Sequence, residues 1–362
     1  MRVVVAPDSF GGMLSAPDAA GAIAAGWRSE RPDDTMHLVP MSDGGEGLLA
    51  VVHRPQDRRV DVEVCGPLGL PTDAWFSLRD EGATAVVESA QACGLHLVPV
   101  ERRSPLDTTT YGVGQLLDAA REAGASRILV GLGGSATVDG GAGALTGLGF
   151  RLRIADGSGL KIGGRDLHRV VRAERGWASA DWEDIEVVLL ADVRTTIQDA
   201  PGRFGPQKGA DDAAVELLAG ALREWAEVAQ RDVATTRDLA DLQGSGAAGG
   251  LGFGLAAGLG ASFTSGADAV AGLVGLDTAL EVADMVVTGE GRLDATSFDG
   301  KVVGAVASLA QAAAVPVAAI VGQDEAGTTP LRHVLTAAAH GPEEAKEALA
   351  EAGRHLARMV GR

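Results

Sequence analysis

The pattern of hydrophobic and polar positions predicts a strand–helix–strand unit at the start of the chain. Residues 3–6 form a short β-branched run that ends at Pro7, and apolar residues at helical spacing follow it. Ser15 or Asp18 is suited to cap that helix. Residues 37–40 form a second strand-like run. Two strands joined by a helix are typical of a parallel sheet.

The pattern changes near residue 58. Short strand-like runs alternate there with turn residues, and this is typical of antiparallel hairpins. The runs are residues 59–64, 74–78 and 83–87. Helix and strand then alternate again, with a helix predicted over residues 109–123, a strand over 127–130 and another over 185–190.

Around residue 284 the chain returns to its first pattern. We predict a strand at residues 284–287 that ends in the segment 288–291, and a helix at 302–313. A further strand at residues 315–321 is interrupted at Gly322. We therefore predict an α/β fold, in which a Rossmann-like parallel-sheet domain formed by both chain ends is interrupted by a second α/β domain. The predicted bounds are 1–57 and 263–362 for the first domain and 58–262 for the second.

Composition and charge narrow the class of protein. The chain of 362 residues is 46% hydrophobic, which allows two cores. A formal net charge of −18 argues against nucleic acid as a partner. Cys65 and Cys93 form no disulfide framework, and the N-terminal apolar run is too short for a signal peptide. Residues 244–263 have membrane-spanning length but consist mainly of Gly and Ala, so we expect no membrane span and no membrane partner. We expect a soluble cytoplasmic protein that is a monomer or a homodimer.

A glycine-rich cluster at residues 131–141 follows a predicted strand and carries the clearest sign of chemistry. Gly133 and Gly134 allow the backbone to curl so that N–H groups converge on an anion, and Ser135 and Thr137 add hydroxyl donors. Asp139 would repel a phosphate unless a divalent cation lay between them. The cluster predicts a site for phosphate and magnesium; the alternative is a tight turn in which glycine serves only packing.

The same cluster fits a second pattern, the dinucleotide fingerprint. Gly131, Gly133 and Ala136 have its spacing, and Asp156 lies about 20 residues further along, as the fingerprint requires. Gly140-Gly141-x-Gly143 interrupts the helix that should receive the pyrophosphate. A Walker sequence is absent, so a kinase with this sequence would not be a P-loop kinase.

Other polar residues also fall at predicted strand ends, where ligands bind open parallel sheets. The predicted substrate-binding residues are Asp8, Ser9, Asp43, Glu46, Glu290 and Asp294. Asp192 follows the central strand, and we assign it as catalytic base or metal carboxylate, with Asp139 as the other metal ligand. Arg292 and Lys301 are predicted to neutralise a substrate carboxylate or the transferring phosphoryl group. Lys208 is predicted to contact phosphate, and the alternative for it is a surface lysine in a turn.

These motifs, in this order, resemble the bacterial glycerate kinase family of the two-domain type, over residues 1 to about 325. The matching segments are Ala6-Pro7-Asp8-Ser9-Phe10, residues 40–47, Glu88-Ser89-Ala90, residues 109–114, residues 133–143, Phe204-Gly205-Pro206-Gln207-Lys208-Gly209, residues 246–252 and residues 288–294. The resemblance implies ATP- and Mg²⁺-dependent phosphorylation of D-glycerate at its 2-hydroxyl, by in-line transfer in an interdomain cleft. Gly133, Gly134, Ser135, Thr137 and Lys208 would then hold the nucleotide.

The chain departs from the family pattern at three polar positions. Gly11 stands where the family usually has lysine, Val138 where it has asparagine, and Thr195-Thr196 where it has Asn-Pro. Loss of a hydrogen bond to a charged group costs roughly 1.5–3 kcal/mol. Two alternatives therefore stay open: a kinase for another small hydroxy acid, and a catalytically degenerate protein that binds a nucleotide or sugar acid on the same scaffold.

Overall fold

The computed structural model describes residues 1–160, 163–176, 181–234, 238–327 and 329–360. The chain forms two compact units. The terminal unit consists of Met1–Asp43, Ala50–Val52 and Ser265–Arg362. The central unit consists of Gly44–Leu49 and His53–Thr264.

The strands and helices of the described residues are numbered along the chain. The strands are β1 (Arg2–Pro7), β2 (Thr35–Leu38), β3 (Arg58–Cys65), β4 (Pro71–Arg79), β5 (Thr84–Glu88), β6 (Arg127–Gly131), β7 (Arg151–Ile154), β8 (Val170–Glu174), β9 (Glu186–Leu190), β10 (Ser262–Thr264), β11 (Met285–Leu293), β12 (Val317–Asp324) and β13 (His333–Thr336). The α-helices are α1 (Ala16–Glu30), α2 (Leu48–Val52), α3 (Ala90–Cys93), α4 (Tyr111–Glu122), α5 (Ala142–Gly147), α6 (Ala200–Phe204), α7 (Asp212–Asp232), α8 (Ala247–Leu259), α9 (Gly266–Val274), α10 (Leu276–Leu280), α11 (Val302–Ala312) and α12 (Pro342–Val360). Short 3₁₀ turns include Pro206–Lys208 and Ala295–Phe298.

The terminal unit contains a five-stranded sheet in the order β13-β12-β11-β1-β2, with every neighbouring pair parallel. Helices α1 and α12 contribute Ile23, Trp27, Leu349 and Leu356 to one hydrophobic core. The two helices pack so closely that a Cβ on Gly26 would lie 1.8 Å from the Ala350 carbonyl oxygen. The predicted parallel α/β fold from both chain ends is confirmed.

Helix α1 begins where the sequence indicates. The Ser15 hydroxyl accepts a hydrogen bond from the backbone N–H of Asp18 at 3.2 Å, and Pro17 lies in the first turn. Proline is tolerated there because the first N–H groups of a helix have no intrahelical partner. Ser15, rather than Asp18, is therefore the N-cap.

The central unit contains a six-stranded sheet in the order β10-β9-β6-β5-β4-β3. Strands β10, β9, β6 and β5 are parallel, whereas β4 pairs antiparallel with both β5 and β3. The hairpins predicted near residue 58 are thus present. The two antiparallel strands β7 and β8 form a separate small sheet.

Two strands run further than the sequence predicted. Strand β11 continues through Gly289, Glu290 and Gly291 to Leu293, and β12 continues through Gly322 to Asp324. A Cβ on Gly289 would lie 2.1 Å from the Ile320 carbonyl oxygen. These glycines are needed because the two strands approach closely, and they do not end the strands. The prediction that the strand ends in residues 288–291, which include Glu290, was therefore wrong.

Helix α8 lies within the Gly- and Ala-rich segment of residues 244–263. Its first turn is interrupted by Ala248, Gly249 and Gly250, which all have left-handed backbone angles. Within the described ranges, the structure has no helix of the length and apolar character needed to cross a bilayer.

Candidate active site

In the central unit, the glycine-rich loop after β6 is supported from within by a buried lysine. The Lys208 side chain, on a residue only 3% exposed, donates hydrogen bonds to the Ser135 hydroxyl at 2.8 Å and to the Thr137 carbonyl oxygen at 2.7 Å. Burial lowers the pKa of this amine to about 8, against the opposing effect of the Cys93 thiol and the Asp139 carboxylate. The alternative of a surface lysine in a turn was wrong, because the amine lies beneath the loop.

The chain around Glu46 packs against this loop. A Cβ on Gly133 would lie 2.6 Å from the Gly45 Cα, and one on Gly134 would lie 2.9 Å from the Glu46 Cβ. Both loop positions need glycine for this reason, and Gly134 also has a φ of +62°. Glu46 is exposed, with its Oε1 at 3.4 Å from the His96 Nδ1. The structure therefore places Glu46 beside the predicted phosphate loop.

A residue that the sequence did not assign holds the Glu46 segment in place. Glu88 ends the fully buried strand β5, and its carboxylate accepts hydrogen bonds from the backbone N–H groups of Gly47 and Leu49, each at 3.0 Å. Burial raises the pKa of Glu88, and the two N–H donors oppose that rise. The available signal was a carboxylate that ends an otherwise apolar strand, since such a buried charge requires partners.

Asp139 is a structural residue that holds two chain segments together through hydrogen bonds. Its carboxylate accepts hydrogen bonds from the Thr110 N–H at 2.8 Å, from the Thr110 hydroxyl at 2.9 Å, and from the N–H groups of Gly141 and Gly143 at 3.1 and 3.3 Å. The residue is 1% exposed, and burial raises the pKa of its carboxyl. It joins the starts of α4 and α5. A metal ion would have to displace these donors, so the predicted metal role of Asp139 is not supported by its contacts.

The other predicted features of the central unit are Asp192 and the dinucleotide fingerprint. Asp192 is half-buried just after β9. Helix α5 begins at Ala142, well beyond Ala136, and Asp156 lies in an exposed turn. The dinucleotide alternative is therefore not supported, because its fingerprint requires a helix that opens directly from the glycine loop.

In the terminal unit, three carboxyl groups lie close enough to influence one another. Asp8 follows β1, Asp43 lies beyond β2, and Glu290 lies on β11. The Asp8 Oδ1 accepts a hydrogen bond from the Ser9 N–H at 2.6 Å. Burial, together with the negative charges of Asp43 and Glu290, raises the pKa of Asp8 to about 8. Burial likewise raises the pKa of Glu290.

Arg292, near the end of β11, and Lys301 both lie close to Asp294, which follows the strand. The Asp294 carboxylate accepts from the Thr296 N–H at 2.8 Å and caps the 3₁₀ turn that follows. Lys301 Nζ donates to the Thr296 hydroxyl at 2.8 Å, and the Arg292 Nε lies 3.7 Å from the Asp294 Oδ2. The Arg292 side chain is 60% exposed, so its guanidinium is available to an anion.

A cavity of about 380 Å³ opens at the carboxyl ends of β1, β11 and β12. Its lining includes Asp8, Ser9, Gly11, Glu290, Arg292, Gln323 and His340. Gln323 and His340 were not predicted; Gln323 was missed because β12 was expected to stop at Gly322. A larger cavity of about 500 Å³ lies beside α11, but none of its described lining residues is a carboxylate. We favour the smaller cavity because it combines strand ends with convergent polar groups.

The described residues hold no preformed metal cage. No group of three or more His, Cys, Asp or Glu side chains among the described residues could hold a metal ion. Mg²⁺ usually binds proteins through one or two carboxylates, with phosphate oxygens and waters as its other ligands. The residues present therefore fit a Mg²⁺ ion that arrives with a nucleotide, and do not fit a cage built from protein alone.

The two α/β units supply the parts that a phosphoryl-transfer enzyme needs, namely a glycine loop for phosphate and acids at strand ends. The sequence model of the Glycerate kinase family matches residues 3–362. The chain belongs to the glycerate kinase family and is a phosphotransferase with an alcohol group as acceptor.

Individual relatives agree with this family. The chain is 40% identical over 326 residues to the glycerate kinase of Bacillus subtilis strain 168, covering 89% of this chain and 85% of that protein. It is 39% identical over 326 residues to the glycerate 2-kinase of Escherichia coli K12, covering 89% and 85%. A crystal structure described as glycerate kinase 2 from Salmonella typhimurium LT2 matches with a TM-score of 0.83 and 36% identity, covering 100% of this chain and 98% of that one.

Proposed function

We propose that the protein transfers the γ-phosphoryl group of ATP, with Mg²⁺, to the 2-hydroxyl of D-glycerate. The observation that carries the proposal is the cavity of about 380 Å³, which combines Asp8 with the exposed Arg292 at the strand ends of the terminal unit. Its volume lies in the usual range for small-molecule sites, about 300–1,000 Å³. Relatives named glycerate kinase and glycerate 2-kinase support the choice of acceptor and of hydroxyl.

In this proposal, the terminal unit holds the acceptor. Arg292 binds the glycerate carboxylate, because a guanidinium donates two parallel hydrogen bonds to such a group. Asp8 accepts the proton of the reacting hydroxyl, since a carboxyl whose pKa is raised to about 8 is well matched to a general base near neutral pH. Lys301, whose charge acts on Glu290, offsets negative charge on the phosphoryl group.

The central unit holds the nucleotide. The backbone N–H groups around Gly133 and Gly134 and the Ser135 hydroxyl bind phosphate oxygens. Asp192 is the carboxylate that we assign to Mg²⁺, since the oxygens of Asp139 are engaged by N–H and hydroxyl donors. A bound Mg²⁺ ion would neutralise charge on the β- and γ-phosphates.

A second candidate is a kinase for a different small hydroxy acid. Gly11, which stands where the family pattern has lysine, lines the cavity, and a Cβ built on it meets nothing within 4 Å. This end of the cavity thus has more room and one positive charge fewer than the family pattern implies. A larger or less acidic hydroxy acid would suit it.

An ADP-release assay with ATP, Mg²⁺ and a panel of small hydroxy acids tests both candidates. We expect D-glycerate to give the highest kcat/KM and the product to be the 2-phosphate, identified by ³¹P NMR. Turnover with another acid alone would support the second candidate. Nucleotide binding in calorimetry without turnover on any acid would contradict both, and would leave a binding protein on the kinase scaffold.

A further inference from the structure

A buried lysine, Lys208, lies beneath the glycine loop and contacts two of its residues. The Lys208 ammonium donates to the Ser135 hydroxyl oxygen and to the Thr137 carbonyl oxygen. The sequence suggested that this lysine contacts phosphate directly. With the residue 3% exposed and two of its three N–H groups engaged by the loop, its main contacts are with the protein.

The direction of these hydrogen bonds restricts the Ser135 hydroxyl. A protonated lysine has donors and no acceptor, so the Ser135 oxygen must act as acceptor toward Lys208. The Ser135 hydrogen then has to point elsewhere. In the described part of the structure, no acceptor takes that hydrogen. Ser135 is buried, with 4% of its surface exposed, and the preceding residue, Gly134, is exposed. A hydroxyl held as acceptor on one side is left as a donor on the other.

The backbone of the loop leaves little other freedom. The N–H of Ala136 donates to the Cys93 carbonyl oxygen, and the N–H of Leu95 donates to the Gly134 carbonyl oxygen, both at 2.7 Å. These bonds fix the peptides on either side of Ser135. The rotation of the Ser135 hydroxyl is therefore what Lys208 controls.

We propose that Lys208 is a positioning residue for the nucleotide, which holds the Ser135 hydroxyl so that its hydrogen is presented to a phosphate oxygen. This inference rests on the proposed function, which places the phosphates at this loop. The ammonium also sets a positive charge inside the loop, where the other ionisable groups that act on it are the Cys93 thiol and the Asp139 carboxyl. The loop thus receives both an oriented donor and a favourable charge from a residue that does not itself touch the ligand.

A double-mutant cycle with Lys208→Met and Ser135→Ala tests the proposal, with MgADP affinity measured by calorimetry and thermal unfolding recorded for every variant. Each single variant should weaken MgADP binding by about 10- to 100-fold, as expected for loss of a hydrogen bond to a charged group. In the Ser135→Ala background, Lys208→Met should add less than about threefold. Fully additive losses would overturn the proposal.

Trp225→Phe is the matched control. The Trp225 Nε1 donates to the Gly140 carbonyl oxygen of the same loop at 3.0 Å, and phenylalanine removes that donor while keeping an aromatic ring. We expect a lower unfolding temperature with MgADP affinity within about twofold of the original protein. An affinity loss equal to that of Lys208→Met would mean that loop stability alone matters, which contradicts the proposal.

If Lys208→Met does not fold, the pH dependence of MgADP affinity, compared between the original protein and Ser135→Ala, still tests the proposal. A neutral Lys208 amine can accept a hydrogen bond from Ser135, so MgADP affinity should fall as pH rises through the pKa of Lys208. In Ser135→Ala, where only the charge of Lys208 is lost, that fall should be less than about threefold, and an unchanged fall would overturn the proposal. MgADP binding without glycerate turnover would contradict only the proposed function, whereas absence of MgADP binding in the original protein would overturn both.

Discussion

In the proposed function, Asp8 would combine a catalytic role with a cost in stability. Its folded pKa of about 8 lies above the ordinary value of 3.8, because burial and the charges of Asp43 and Glu290 favour the protonated form. Protonated Asp8 therefore makes its full contribution to the stability of the fold below the unfolded pKa, and this contribution is lost as pH rises through about 8. At the pH where Asp8 can act as a base, it therefore weakens the fold.

Asp8→Asn should reveal both effects. Without a proton acceptor, we expect turnover to fall by about 100-fold or more, and the loss of activity toward acid pH to disappear. The variant stays neutral, so its melting temperature should exceed that of the original protein by a margin that grows from pH 5 to pH 8 and then levels off. A variant that keeps its acid limb would show that another group titrates.

Asp192 is distinguished from Asp8 by its expected response to magnesium. If Asp192 holds the ion, Asp192→Asn should raise the Mg²⁺ concentration for half-maximal activity by about tenfold or more, since a neutral amide is a weaker ligand for a hard cation. Asp8→Asn serves as the comparison, with an unchanged Mg²⁺ requirement. Near-normal turnover of Asp192→Asn at low Mg²⁺ would remove Asp192 from the catalytic assignment.

At the scale of elements, the sequence predicted helices and strands correctly where the periodic pattern was strong. It failed at glycines, because a glycine can either end a strand or allow two strands to pack closely. The β-branched runs and the helical spacing after Ser15 predict β1, α1 and the parallel sheet, because burial of one face imposes that pattern. The sequence predicts strand ends at Gly289 and Gly322. Their role is to let β11 and β12 approach, and this depends on a neighbour distant in the sequence.

Gly289→Ala tests that interpretation of β11. The added methyl group would lie 2.1 Å from the Ile320 carbonyl oxygen, so one strand must move. We expect a loss of about 1–3 kcal/mol in the free energy of unfolding, measured by denaturant titration. Gly21→Ala is the control, since its Cβ meets nothing within 4 Å in α1, and it should stabilise by about 0.5–1 kcal/mol. Equal effects would show that β11 tolerates the extra atom.

The candidate site was predictable only in part for a related reason. Residue type and strand-end position marked Asp8 and Ser135 as candidates, and residue type within a glycine-containing segment marked Lys208. Neither property shows which side of a loop a side chain occupies, and so the burial of Lys208 was not predicted. Glu88 was missed because its partners, the N–H groups of Gly47 and Leu49, lie about 40 residues earlier in the chain.

For the whole molecule, the proposal assigns the acceptor to the terminal unit and the nucleotide to the central unit, and the two assignments can be tested separately. Arg292→Met should raise the KM for glycerate by about 10- to 100-fold, because it removes a charged hydrogen-bond donor. The same variant should leave MgADP affinity within about twofold. Ser135→Ala should show the reverse pattern, with a weaker MgADP affinity and little change in the KM for glycerate.

Arg2→Met is a close control for Arg292→Met. The Arg2 side chain is 58% exposed and pairs with Asp284 at 3.7 Å, whereas Arg292 is 60% exposed and pairs with Asp294 at the same distance. Arg2 begins β1, so it lies at the end of that strand opposite the cavity. Loss of either arginine changes the net charge equally, and only Arg292→Met should alter the KM for glycerate. A similar rise in both variants would show that Arg292 acts through overall charge, and the acceptor would then have to bind elsewhere.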